Sequence, residues 1–247
     1  VIDMQGLVKS AIFSKLIPSK LTLGFDRTSA RESFASFFYD KSFNIGYEEN
    51  IVKRNFELIK FALNLPFDIN HIDRKLPFLV SHHKFIYPAL SHTKKNVLLV
   101  PGASYPSKCY SVENFAKLPH FLDANYLIVW GNSEEKLIAN SIKKISPDIN
   151  ICPKLSLENL ISLISQVNLV IGSDTGPTHI AWAVNVPSLT LFGPTPGYRN
   201  TFTSKNHKIL ESDSKVNPYK INKNDYSIKD IKLSDVVKIS QSLLKLN

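Results

Sequence analysis

The segment Gly172-Ser173-Asp174-Thr175-Gly176-Pro177-Thr178-His179 is the densest run of potential chemistry in the chain. It follows a very apolar stretch that reads as a buried strand, and Pro177 suits the first turn of a helix. A strand entering a helix here leaves free backbone N–H groups and the positive end of the helix dipole beyond the strand. That combination suits a phosphate or another anion. Asp174 reads in two ways: as an acceptor for sugar hydroxyls, or as the helix cap. His179 reads as an anion-facing group or as a structural hydrogen-bonder.

Three further loops carry candidate groups. Pro101-Gly102-Ala103-Ser104-Tyr105-Pro106-Ser107-Lys108 joins small residues to a hydroxyl, Ser104, and a mobile cation, Lys108. The mixture suits a diphosphate but lacks the spacing of a Walker A loop, and an ordinary βα loop with a surface lysine is the alternative. Gly131-Asn132-Ser133-Glu134-Glu135 sets acids after a second strand, where a carboxylate accepts from ribose hydroxyls or simply complements a helix N-terminus. Gly193-Pro194-Thr195 follows the next strand, as a cleft wall or a plain turn. There is no GxGxxG and no GxSxG. His82, His83 and His92 lack metal-ligand spacing, as do Cys109 and Cys152, so neither a metal nor a cofactor is expected.

These loops need a scaffold of strands whose carboxyl ends share one edge. From residue 96 the pattern supplies it. Strands at 97–100, 126–130, 149–152, 168–172 and 188–192 alternate with helices at 112–122, 134–145, 156–165 and 177–184. Apolar strands alternating with helices of this length give parallel βαβ units. Before them, Val1-Ile2-Asp3 reads as the end of a buried strand, with Asp3 a strand-end hydrogen-bonder. Helices are expected at 7–16, at 29–39 with Ser29 as cap and Phe34, Phe37 and Phe38 as its apolar face, and at 48–65 with Ile51, Phe56, Ile59 and Leu63 inward. A short strand is expected at 21–25. Residues 66–95 lose periodicity, and 211–227 are polar and loop-like. An amphipathic helix at 228–246 buries Ile231, Val236, Val237, Ile239 and Leu243.

The chain of 247 residues is long enough for two domains, and its 43% hydrophobic content argues against wholesale disorder. No apolar run approaches the roughly 20 residues of a membrane-spanning helix. The net charge of +9 rests on lysine more than arginine. It reads as a solvated lysine surface, or as a surface for phosphorylated ligands or an anionic membrane. The lysines are scattered and no nucleic-acid-binding motif is present, so nucleic acid is not expected. The reduced thiols fit a cytoplasmic protein.

The run SDTGPTHIAWAVNVPSLTLFGPT, with PGASYPSKCYSVENF and WGNSEE upstream, closely resembles the bacterial heptosyltransferases of glycosyltransferase family 9. VIDMQGLVKSA and TSARESFASFFY resemble the type I branch in particular. The resemblance implies an α/β fold of GT-B type with two Rossmann-like domains. Residues 1–80 would be the remainder of an N-terminal acceptor-binding domain, 81–95 a linker, 96–225 the donor-binding domain, and 226–247 a helix packing back toward the N-terminal domain. It implies a metal-independent, inverting transfer of L-glycero-D-manno-heptose from ADP-heptose to Kdo2-lipid A, in lipopolysaccharide inner-core assembly. The location implied is peripheral, at the cytoplasmic face of the bacterial inner membrane. Another family member, of type II or later-core specificity, is the alternative; an inactive nucleotide-sugar-binding fragment is a third reading.

Carried onto this sequence, the resemblance assigns Ser104, Lys108, Thr175, Gly176 and His179 to the donor phosphates. It assigns Glu134 to the ribose, Leu155 to the adenine, Asp174 to the heptose, and Lys9 and Arg31 to the acceptor. The family's catalytic base is an aspartate in a Gly-Asp loop after its first strand. Nothing here matches that loop, and Asp3 belongs to a different strand. The expectation is that this region lies upstream and that the chain alone transfers poorly.

Overall fold

The computed structural model describes residues 1–81 and 86–245, with only the backbone at Asn70, His71 and Asp73. The His82–His83 pair and the last two residues of the chain lie outside the described residues. The chain divides into two compact units. The smaller is Val1–Arg74 with the segments Tyr198–Phe202 and Pro218–Lys220; the larger holds the rest. The boundary thus falls at Arg74, ahead of the expected linker at 81–95.

The smaller unit starts as a strand end. Ile2 bridges Leu23 in parallel, and the Asp3 N–H donates to the Leu23 carbonyl at 2.8 Å. Gly6 then turns the chain at φ 65°, a left-handed conformation that glycine adopts without cost. The helix α1 (Val8–Leu16) follows, and Pro18 prevents its continuation. Strand β1 (Leu23–Phe25) pairs in parallel with β2 (Lys41–Phe43), a strand absent from the sequence reading.

The helix expected at 29–39 does not form; only a 3-10 turn over Ser33–Phe38 appears. Its presumed start is used elsewhere. The Asp26 carboxylate accepts from the Thr28 and Ser29 N–H groups, and the Ser29 hydroxyl accepts from Ile45 N at 2.9 Å. Glu32 turns away and accepts from Val8 N at 2.7 Å, serving the N-terminus of α1. Phe34 and Phe37 consequently stand exposed, and only Phe38 packs on the core.

Helix α2 (Ile51–Leu63) is capped by Asn50, whose side chain accepts from Val52 N. Its buried residues are Arg54 and Leu58; Ile51, Phe56 and Ile59 are half-buried and Leu63 is exposed. The expected apolar stripe is displaced because both terminal nitrogens of Arg54 find acceptors inside, while its Nε stays unpaired. Its guanidinium donates to the carbonyls of Ile45, Gly46 and Ser29 and lies over the rings of Phe25 and Tyr47.

The larger unit is built on a six-stranded parallel sheet. Its strands are β3 (Asn96–Val100), β4 (Asn125–Ile128), β5 (Asn150–Ile151), β6 (Leu169–Ser173), β7 (Ser188–Phe192) and β8 (His207–Glu211). The intervening helices are α3 (Val112–Lys117), α4 (Ser133–Ile145), α5 (Leu157–Ile164), α6 (Gly176–Ala183) and a single turn, α7 (Gly197–Asn200). The spatial order β5-β4-β3-β6-β7-β8 reverses direction between β3 and β6. This is the doubly wound arrangement, whose ligands lie beyond the strand ends at the reversal. Every residue of β3, β6 and β7 is buried, as the continuous apolar runs require of a sheet covered on both faces.

The two faces of the sheet carry separate cores. One packs Leu99, Ile128, Ile171 and Leu191 with Phe115 and Ile142; the other packs Leu98, Leu127 and Val170 with Ile161, Ile164 and Ala181. α3 ends before its expected limit and continues as a 3-10 turn at Leu118–His120, because Pro119 has no N–H to extend the ladder. The terminal helix α8 (Leu233–Leu244) is shorter than expected and preceded by a 3-10 turn, Ser227–Asp230. Ile231, Val236 and Leu243 are buried as expected. α8 rests on β6 and β7 of its own unit. The described residues from Ile221 onward belong to the larger unit, and α8 packs on that unit's own sheet.

Candidate functional site

The carboxyl ends of β3, β6 and β7 converge on one buried carboxylate. Asp174 follows β6 and is 9% exposed. Its Oδ2 accepts from Lys108 Nζ at 2.9 Å and from the Thr195 hydroxyl at 3.2 Å; its Oδ1 lies 3.2 Å from His179 Nε2. Lys108 comes from the short 3-10 turn after β3, Thr195 from the loop after β7, and His179 from the first turns of α6. Gly172 permits this convergence. A Cβ there would lie 2.6 Å from Val100 Cβ and 2.8 Å from the Val100 carbonyl, so only glycine lets β6 approach β3 at the reversal.

The electrostatics favour the charged carboxylate. Burial pushes the Asp174 carboxyl up, but the His179 hydrogen bond and the Lys108 ammonium outweigh it. The group is held well below the ordinary carboxylate range. Asp174 does not cap α6: the cap position is Thr175, whose side chain makes no cap hydrogen bond. The Thr175 carbonyl accepts from the Thr178 hydroxyl at 2.7 Å. The first turn of α6 itself carries no acidic residue, and the nearest carboxylate is Asp174, just before the cap. Gly176, at its start, is exposed and has open space where a side chain would be.

Beside this cluster lies a crevice of about 320 Å³, walled by Gly102, Trp130, Leu155, Thr175, Gly176 and Glu135. A larger cleft of about 580 Å³ opens on the other side of the β3 loop, where Ser104, Cys109, Glu134 and Lys229 line it. The smaller space has the ends of β3 and β4 and the N-terminus of α6 as walls. The thiol in the larger cleft is Cys109, whose pKa burial raises.

The sequence candidates thus separate. Lys108, Asp174 and His179 form one bonded cluster; Thr175, Gly176 and Leu155 line the adjoining crevice. Ser104 is exposed and lines the larger cleft. Glu134 is exposed and also faces that cleft, so the crevice carboxylate is its neighbour Glu135. Glu135 Oε2 accepts from Gly131 N at 2.6 Å, and a Cβ on Gly102 would fall 2.3 Å from Glu135 Cγ. The signal was local. Asn132 caps α4 by accepting from Glu135 N, and an acid three residues after a cap turns back over the loop. Lys9 and Arg31 are exposed on the smaller unit, where Lys9 lies in the first turn of α1 and Arg31 N lies close to Gly6. Thr195 was read as cleft wall or plain turn; its hydroxyl reaches Asp174.

Among the described residues no three His, Cys, Asp or Glu side chains gather as a metal site. No described helix is long and apolar enough to cross a membrane.

The model of glycosyltransferase family 9 (heptosyltransferase) matches residues 1–227. Lipopolysaccharide heptosyltransferase 1 of Campylobacter coli is 38% identical over 98% of this chain and 75% of its own length. The Pseudomonas aeruginosa protein of the same name is 27% identical over 82% of this chain and 56% of its own length. The chain therefore spans only part of these relatives. The solved structure of E. coli heptosyltransferase WaaC with ADP superposes with a TM-score of 0.76, at 22% identity, covering 98% of this chain and 72% of that one. The same enzyme with ADP-2-deoxy-2-fluoro heptose gives 0.72. Parallel sheets, strand reversal and family model agree: the chain belongs to glycosyltransferase family 9.

Proposed function

We propose that this chain carries the donor-binding part of a heptosyltransferase that builds the lipopolysaccharide core, and that its larger unit binds an ADP-activated heptose. The observation that carries this reading is the Lys108–Asp174–His179 cluster beside the N-terminus of α6. The crevice next to it has the chemistry of a nucleoside site: an apolar wall at Leu155, an acid at Glu135 for the ribose, and the Gly176 amide for the phosphates. The names of the Campylobacter coli relative and of the WaaC complexes support ADP-heptose as donor.

The specific reaction we propose is type I: L-glycero-D-manno-heptose passes from ADP-heptose to Kdo2-lipid A with inversion. Lys108 neutralises Asp174. A diphosphate competes for that ammonium, and the freed carboxylate oxygen becomes available to heptose hydroxyls. Charge growing on the departing ADP is met by Lys108 and the α6 amides, so the chemistry needs no metal. Asp174 orients the sugar through that freed oxygen. Lys9 and Arg31 are proposed for the anionic acceptor, at the cytoplasmic face of the inner membrane.

Calorimetry with ADP-heptose, ADP and UDP tests the donor assignment. ADP-heptose and ADP bind and UDP binds weakly; no binding of either adenine nucleotide overturns it. ADP release in EDTA, with and without Kdo2-lipid A, tests transfer, acceptor and metal independence together.

A further inference from the structure

The helix that carries the phosphate end of the site has no cation of its own at its carboxyl end. α6 has no basic residue in its last turn. The cation is supplied from about a hundred residues upstream, by Lys75, the first residue of the larger unit. Lys75 Nζ donates to the Trp182 carbonyl, in the last turn of α6, and to the Asn185 side-chain oxygen just beyond it. Asn185 holds the left-handed conformation of a helix terminus, φ 61°, and its side-chain amide donates back to the Lys75 carbonyl at 2.8 Å. Phe78 N donates to the Ala183 carbonyl at 3.2 Å. The Lys75 ammonium also lies 4.5 Å from the Trp182 ring centroid, and Phe78 meets that ring edge-on. A clasp of residues 75–78 thus closes one end of α6 while the other end faces the crevice.

We infer that Lys75 is a positioning residue for the nucleotide site: through the carboxyl end of α6 it sets the register of Gly176 and His179 at the amino end. The inference rests on the donor reading above. α6 spans eight residues, so its last turn is only one turn removed from His179. A helix this short has little stability of its own and depends on its ends and its packing. Fraying of the clasped end therefore reaches the anion-facing end. The side chain touches no substrate and acts only through the helix.

Two substitutions separate positioning from simple packing. Lys75→Met keeps an unbranched chain against Trp182 and removes the charge and donors; Lys75→Arg keeps both. In the free protein, the Gly176 and His179 amide resonances shift in Lys75→Met and return toward wild type in Lys75→Arg. With nucleotide, Lys75→Met weakens ADP about three- to tenfold, the size of a helix-end charge effect, and Lys75→Arg recovers most of it. Adenosine affinity stays within about twofold, because the Leu155 wall is untouched. Unchanged amide resonances, or equal losses for ADP and adenosine, overturn the inference. Wild-type protein that binds no ADP would instead bring down the donor reading, and the amide shifts would still report on the clasp.

Discussion

Among the described residues, two buried aspartates stand at parallel strand ends, one in each unit. Asp3 is 4% exposed and Asp174 is 9% exposed. Their surroundings differ in kind. Asp3 accepts from Gln5 N, the Ser10 hydroxyl and the Tyr39 hydroxyl, at 2.9, 2.7 and 2.8 Å. All three donors are neutral and fixed by their own elements. Asp174 is met by the buried Lys108 ammonium and the exposed His179 imidazole, besides the neutral Thr195 hydroxyl. The first arrangement holds a strand end, the start of α1 and Tyr39 together. The second pairs a buried carboxylate with a buried cation. Position at a strand end does not distinguish a structural carboxylate from a site carboxylate; the nature of the donors does.

The largest effect is expected at Asp174→Asn. It leaves the buried Lys108 ammonium without its counter-charge, at a cost of about 3 kcal/mol in urea unfolding. Adding Lys108→Met to it should restore most of the loss, since removing both partners avoids an unpaired charge. If the double variant is as unstable as the single one, Asp174 is structural in the same sense as Asp3.

Lys108→Met alone should weaken ADP by about ten- to a hundredfold, the value of a charge-assisted phosphate contact, and leave adenosine unaffected. The counterpart is Asp3→Asn, which should cost about 2 kcal/mol of stability by disturbing the Tyr39 and Ser10 hydrogen bonds. Titration calorimetry on that variant should give wild-type ADP affinity; a selective loss would erase the contrast between the two carboxylates.

Acid supplies a gentler probe. The Asp174 carboxyl lies below its ordinary range in the folded state, so the unfolded chain takes up the proton first. Its contribution is fully present above about pH 5 and declines as the pH falls through and below the ordinary carboxylate range near 4. Urea midpoints between about pH 5 and pH 2.5 should therefore drop more steeply in wild type than in Asp174→Asn. Parallel curves would mean that other carboxylates govern the acid limb.

The smallest effect concerns the ribose. Glu135→Gln should weaken ADP and adenosine by similar factors of about three- to tenfold, while Glu134→Gln should change neither, on the scale of one hydrogen bond. The reverse result would return the ribose to Glu134 and make Glu135 only a loop cap for Gly131.

The sequence by itself determined the alternation of strands and helices between residues 96 and 192. Parallel strands covered on both faces must be continuously apolar, and Val97–Val100 or Leu189–Phe192 announce themselves in any context. It also pointed to a helix after Asp174, because Pro177 suits a first helical turn and an apolar run follows it. Two polar edge strands escaped it: Lys41-Ser42-Phe43 and His207-Lys208-Ile209-Leu210-Glu211 do not read as strands, and pairing with β1 and β7 makes them so. Only tertiary structure decided which polar groups would be buried. Arg54 entered the core because three carbonyls and two rings outside α2, as far away as Phe25 and Ser29, await it. Ser29 gave up capping because Ile45 N claims its hydroxyl. Lys108 and Asp174 stand 66 residues apart in the chain and 2.9 Å apart in space. The cost of burying a charge is set by its partners, and for these residues the partners are absent from any local window of the sequence.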